Sequence, residues 1–121
     1  FDQSLVLHHD HGYGGGGPVT KDMIQHQRRQ TYLPDADIIT SGHTHDAWQV
    51  PNQRVRLNAA MKVEQYRQLH IRTAGYKDEY EDGAKGWHIE RGAPPKPVGG
   101  AWLRFFLHAD NDVRFEVTEA L

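Results

Sequence analysis

Cysteine is absent from the 121 residues, which excludes disulfides and every thiolate-based metal site. No apolar run approaches the ~18 residues that a membrane span requires, and no signal-peptide pattern is recognisable. The charge balance lacks a dominant sign: 14 Lys and Arg stand against 16 Asp and Glu, a formal net charge of −2. That removes a global electrostatic case for nucleic-acid binding and leaves only local patches. Together these absences predict a cytoplasmic protein without membrane contact. With 37% hydrophobic and 25% charged residues the chain is polar without being disordered in composition. A single domain over residues 1–121, large enough for a core and free of internal repeats, is expected.

Histidine is abundant instead. Nine occur, and His8, His9, His11, His26, His43 and His45 all fall within the first 45 residues. Neutral imidazole is the commonest metal-ligating side chain, so this clustering points to a metal or to acid–base chemistry. The stretch Ser41-Gly42-His43-Thr44-His45-Asp46 directly follows the apolar run Ala36 to Thr40. In extended backbone residues i and i+2 share a side, so the imidazoles of His43 and His45 would face one site. The competing reading is a pair of solvated loop histidines.

Ser4 to Leu7 reads as a short buried strand of the parallel type, ended by His8-His9-Asp10-His11. Gly12 to Pro18, with five glycines in seven residues, is a loop that either brings amides close to an anion or serves as a linker. Thr20 to Tyr32 predicts a helix with Thr20 as N-cap. Its inward stripe would be Val19, Met23, Ile24, Gln27, Thr31 and Tyr32, leaving Gln25, His26, Arg28, Arg29 and Gln30 to solvent. Leu33-Pro34 stops it, and a second strand follows over Ala36 to Thr40. This is a βαβ unit with parallel strands, and ligands bind beyond the carboxyl ends of such strands. Both histidine clusters lie at those ends, so they converge if the strands are neighbours.

The second half predicts antiparallel structure. Ala47 to Val50 and Arg54 to Leu57 would pair across a Pro51-Asn52 turn, and Gln68 to Arg72 alternates as a further strand. Thr73 to Gly86 reads as a polar loop and Arg91 to Gly100 as an extended surface segment. Trp102 to Leu107 and Val113 to Val117 form a hairpin around Ala109 to Asp112, its aromatics assigned to packing rather than binding.

The strand-end histidines, followed one helix and one strand later by Gly42-His43-Thr44-His45, resemble the last two metal-binding motifs of the calcineurin-like metallophosphoesterases. Asp35 to His45 is typical of that family, and the His-Gly-x-Gly-Gly-Gly segment at His11 to Gly16 is similar to a subgroup common among phage and prophage members. The resemblance covers about Leu5 to Asp46 closely and the remainder only in general style. It implies an α/β fold, specifically the C-terminal half of a metallophosphoesterase-type β-sandwich with flanking helices, a βαβ unit followed by an antiparallel β-rich segment. It implies a metal-dependent phosphoester hydrolase, a phosphatase or phosphodiesterase, working with two divalent ions: manganese foremost, with iron, zinc or nickel as alternatives. His43 and an upstream histidine would ligate one ion and His45 the other. The upstream ligand is His11 or His8, with His11 slightly favoured. His9 would act as general acid and Asp46 would orient an imidazole. Tyr76 and Lys77 would contact the phosphoester substrate, with nucleotides and nucleic acid among the candidates. A local basic patch of Arg28, Arg29, Arg54, Arg56, Lys62, Arg67 and Arg72 would suit a polyanion.

The family's first three motifs (Asp-x-His, Gly-Asp with a later Asp, and Gly-Asn-His) have no counterparts here. Three histidines also lack the carboxylate oxygens that hard ions need. The expectation is therefore one part of a site, completed by a missing N-terminal half of the domain. The rival from another class is a non-catalytic or single-metal β-rich binding module.

Overall fold

The computed structural model describes residues 4–13, 17–76, 97–107 and 113–120. Among these residues six strands and one short helix follow in order: β1 Leu7–Asp10, α1 Met23–Gln27 with a 3₁₀ turn over Arg28–Thr31, β2 Ile38–Ser41, β3 Trp48–Leu57, β4 Val63–Arg72, β5 Gly100–Leu107 and β6 Val113–Ala120. They make two sheets, one of four strands in the order β1-β2-β4-β3 and one formed by β5 and β6. The fold is mixed α/β and mostly strand. Among the described residues no helix is long and apolar enough to cross a membrane.

The parallel βαβ pairing is present: β1 lies beside β2, with Leu7 opposite Ile38 and Asp10 opposite Ser41. Its register, however, moves the first strand three residues along from Ser4–Leu7. The Val6 carbonyl accepts from the amides of Asp37 and Ile38, and the Val6 amide donates to the Asp37 carboxylate, so pairing starts only after Val6. His8 and His9 thus sit inside the strand and, by the pleat, on opposite faces. β4 runs parallel to β2 and antiparallel to β3.

Pro51-Asn52 is not a turn. β3 runs straight through it, which a proline tolerates because β3 is an edge strand and the missing N–H can face outward. The chain reverses at Asn58 to Lys62 instead, where the Asn58 side-chain oxygen accepts from the amides of Ala60 and Lys62. The second antiparallel pair matches the expectation, with Leu107 opposite Val113, and the turn expected at Ala109 to Asp112 lies outside the described residues. Its inner residues Ala101, Leu103, Phe115 and Val117 pack on Ile38, Leu69 and Ile71 of the large sheet. Trp102, expected in packing, stands on the outer side and is 71% exposed.

The opposite face of the large sheet is covered by α1 and its 3₁₀ turn, and this layer is polar. Asp22, His26 and Arg29 are buried against Ser41, Gln68, His70 and Arg72. The expected helix is thus turned about its axis, with Ile24, Val19 and Tyr32 exposed and His26 inside. The reason lies in the sheet: alternate residues of β4 present Gln68, His70 and Arg72, and β1 adds Asp10. Burying such groups against an apolar stripe would leave them without partners. The helix is also short, and Thr20 does not cap it. Asp22 occupies the N-cap in a left-handed conformation (φ 63°), and its carboxylate pairs with Arg72 rather than with a helix amide. Burial takes Arg29 and Arg72 out of the expected basic patch, and Arg56 pairs with Glu64 at 2.6 Å.

Candidate metal centre

Beyond the carboxyl ends of β1 and β2 lies a cleft of about 420 Å³ lined by His9, Asp10, His11, Gly42, His43, His45 and Thr73 to Tyr76. His11 leaves β1 just past its last paired residue, and His43 follows β2 across Gly42. Their rings meet edge to face, with His11 Nε2 3.1 Å from His43 Nδ1. Two imidazole nitrogens about 2.1 Å from a common ion lie roughly 3.0–3.4 Å apart at octahedral to tetrahedral angles. The pair therefore has the spacing of two neighbouring ligands of one ion. In this structure one ring donates its N–H to the lone pair of the other.

The backbone that sets this geometry is not extended. His43 (φ 72°) and His45 (φ 60°) both adopt the left-handed conformation around Thr44, whose amide donates to the Gly42 carbonyl at 2.9 Å. Non-glycine residues occupy this region rarely and at some strain, histidine less rarely than most. Pleat alternation therefore does not aim the two rings; the turn does. The His45 ring lies on Gly75, where a Cβ would come within 3.1 Å of its Cγ. Gly75 is held from the other side, its carbonyl accepting from the Gly99 amide at 2.8 Å.

Beneath the cleft the two turns are tied together. The Gly42 amide donates to the His11 carbonyl at 3.0 Å, and the Gly42 carbonyl accepts from Arg72 Nη1 at 2.5 Å. Gly12 has φ 91°, and a Cβ there would stand 2.8 Å from Arg72 Nη1 and 3.2 Å from the Ser41 Cβ. Gly12→Ala is accordingly expected to lower stability by about 2 kcal/mol, left-handed strain and overpacking contributing comparably. A urea-unfolding midpoint indistinguishable from wild type would contradict that packing.

Of the remaining expected site residues, His9 faces the cleft with Nδ1 2.7 Å from the Thr40 hydroxyl. Tyr76 stands on the rim, 95% exposed. Asp46 is buried and lies close enough to Arg72 to stabilise its charge. His8 does not reach the cleft: it points to the helix face and bonds Asp10 at 3.1 Å. Lys77 lies outside the described residues, as do Tyr80, His88 and His108. Among the described residues no group of three or more histidine or acidic side chains converges on a single point. They fit one ion with two imidazoles and do not complete its shell.

Electrostatics behind the cleft centre on the polar layer. Desolvation raises the Asp10 carboxyl, but hydrogen bonds from His8 and Arg29 outweigh it and hold it below the usual range. Gln68 Nε2 donates to the carbonyls of Leu33 and Ala36, both at 2.9 Å, so its Oε1 faces His70 Nε2 at 3.0 Å and accepts the proton there. His70 Nδ1 is then a lone pair, and it accepts from His26 Nδ1 at 3.0 Å. Both rings are neutral in this chain. Burial first, then Arg72 and Arg29, push the His26 imidazole down to about 3; burial, Arg29 and Arg54 push His70 down to about 4.

The residues that sequence reasoning missed are Asp22, His26, His70 and Arg72. A signal was present. Positions 22, 26 and 29 form a polar helical stripe, and 68, 70 and 72 a polar strand face, each of the period its element requires. No protein-family model, no curated protein and no solved structure matches the chain.

Proposed function

We propose that this chain carries one wall of the active site of a metal-dependent phosphoester hydrolase of the metallophosphoesterase type, with His11 and His43 on one divalent ion and His45 directed to a second. The observation that carries the reading is the 3.1 Å separation of His11 Nε2 and His43 Nδ1 at the carboxyl ends of two adjacent parallel strands. Of the two upstream candidates, His11 is preferred because His8 is turned to the other face and bonded to Asp10. Bound divalent ions would supply a water nucleophile near neutral pH and neutralise the phosphoryl oxygens of an in-line displacement. His9, with Nδ1 engaged by Thr40, keeps Nε2 to give a proton to a leaving alkoxide. Tyr76 stands where a substituent of the ester would emerge. The missing carboxylate ligands are assigned to polypeptide other than the described residues, and manganese is the first ion to test.

The test is Mn²⁺ binding and turnover of bis-p-nitrophenyl phosphate by wild type and His43→Ala. The variant is expected to bind Mn²⁺ at least about tenfold more weakly and to lose turnover in proportion. Equal binding and turnover by the two proteins would remove the site assignment. The contact between His11 and His43, which offers two donors to one ion, also suits one alternative, a single-metal module without hydrolytic activity. It predicts one equivalent of Zn²⁺ bound through His43 and no turnover with any metal.

A further inference from the structure

We infer that Arg72 is the positioning residue of the histidine pair: its guanidinium, held by Asp22 at the start of α1, locks the turn after His11 and the turn before His43 into one geometry. The inference rests on the reading that these two histidines share an ion, but the lock itself is made by this chain's own residues. Arg72 leaves the carboxyl end of β4 opposite Ser41 of β2 and is 1% exposed. One arm of its planar fork, Nη2, pairs with the Asp22 carboxylate, and the other, Nη1, donates to the Gly42 carbonyl at 2.5 Å. The same Nη1 lies against Gly12, where only a hydrogen fits. The Trp48 ring backs the guanidinium, 6.0 Å from Cζ to ring centre.

Local backbone preference does not hold the turn at His43. As a non-glycine residue at φ 72° it sits in the left-handed region, and such conformations persist where surrounding structure over-determines them. The Arg72 guanidinium touches both turns and the start of the helix. Two acceptors on different elements demand a rigid two-pronged donor, which lysine is not. Arg72 therefore converts the docking of α1 on the sheet into the relative placement of His11 and His43.

Arg72→Lys keeps the buried charge opposite Asp22 and removes the fork; Asp22→Asn keeps the fork and removes its anchor. Both variants and wild type are examined by imidazole ¹⁵N–¹H correlation spectra without metal and by Co²⁺ titration followed in the visible d–d bands. In wild type the ring nitrogens of His11 and His43 are expected to report a mutual hydrogen bond. In either variant they are expected to resemble free imidazoles, with Co²⁺ bound about tenfold or more weakly and a changed band shape. Unchanged histidine signals and an unchanged Co²⁺ spectrum in a folded Arg72→Lys protein would overturn the inference. If both variants fail to fold, the wild-type guanidinium decides. Separately resolved Nη protons with contacts to Gly12 support the lock, and averaged Nη protons without them overturn it. If wild type binds no Co²⁺ yet the variants still release the His11–His43 pair, the positioning role stands and the metal reading falls.

Discussion

Replacing Arg72 by methionine is expected to lower folding stability by about 3–5 kcal/mol, the usual consequence of removing one member of a buried ion pair. The two side chains of the pair are 0% and 4% exposed, so the abandoned Asp22 carboxylate has no ready access to water. The Gly42 carbonyl loses its guanidinium donor at the same time. A surface pair would not behave this way: Arg56 with Glu64, although 2.6 Å apart, stands in solvent, where water screens the attraction and the loss of either partner should have little effect. The sign of the argument is checked by a second substitution. Asp22→Asn in the Arg72→Met background removes the stranded charge, and asparagine tolerates the left-handed backbone at position 22. The double variant should therefore recover part of the loss in urea-unfolding midpoint. A single-variant loss below about 1 kcal/mol would show that the pair is hydrated and not the fastening described here.

Acid should destabilise the protein well above the pH at which its carboxylates titrate. His26 and His70 are held neutral in the fold, with pKa values near 3 and 4, whereas in the unfolded chain each titrates near the ordinary imidazole value of 6.5. Between those limits the unfolded state binds protons that the native state refuses, so stability rises with pH across this window. It is fully present above about 6.5 and is lost as pH falls toward the native values. Each imidazole contributes on the order of 1 kcal/mol per pH unit, and the two together about 2–4 kcal/mol between pH 7 and pH 5. The physical cause is visible in the hydrogen-bond chain. A proton added to His70 Nδ1 would face the N–H of His26, and one added to His26 would stand beside Arg72 and Arg29 with no described acceptor at Nε2. Asp10, held low by His8 and Arg29, adds a loss of the same sign below the carboxylate range. Urea midpoints measured every half pH unit test this, with His26→Gln/His70→Gln expected to flatten most of the slope. A wild-type stability that stays level from pH 7 to pH 5 would contradict neutral, buried imidazoles.

Much of the candidate site was legible in the order of residues. The alternation of apolar runs with a polar helix implies parallel neighbours, and parallel neighbours bring residues after each strand to one edge of the sheet. That argument brought the His8 to His11 cluster to the edge that carries His43 and His45 without knowledge of any ring. It could not separate His11 from His8, because the first strand was set three residues early. Strand position follows from cross-strand hydrogen bonding, here the grip of Val6 on Asp37 and Ile38, which no local pattern in Ser4 to Leu7 reveals. The Pro51-Asn52 turn failed for a related reason. Proline breaks a central strand but not the outer edge of one, and only the sheet order shows that β3 is an edge.

The helix gives the clearest division. Its apolar residues, Val19, Met23, Ile24 and Tyr32, suggested an inward stripe, because hydrophobic burial is the dominant favourable term when the opposing surface is apolar. The opposing surface is Gln68, His70 and Arg72, and the helix accordingly turns Asp22, His26 and Arg29 inward. By itself the sequence determined the element types, the parallel βαβ unit, the second hairpin and the presence of a histidine-rich edge. Those follow from periodicity and local sterics, which act within a few residues. Only the tertiary structure decided which helix face is buried, which histidine meets His43, and that Arg72 joins three separate elements. Each of these depends on what a side chain finds opposite it, and desolvation makes that partner, rather than the residue's own hydropathy, decide where a polar group lies.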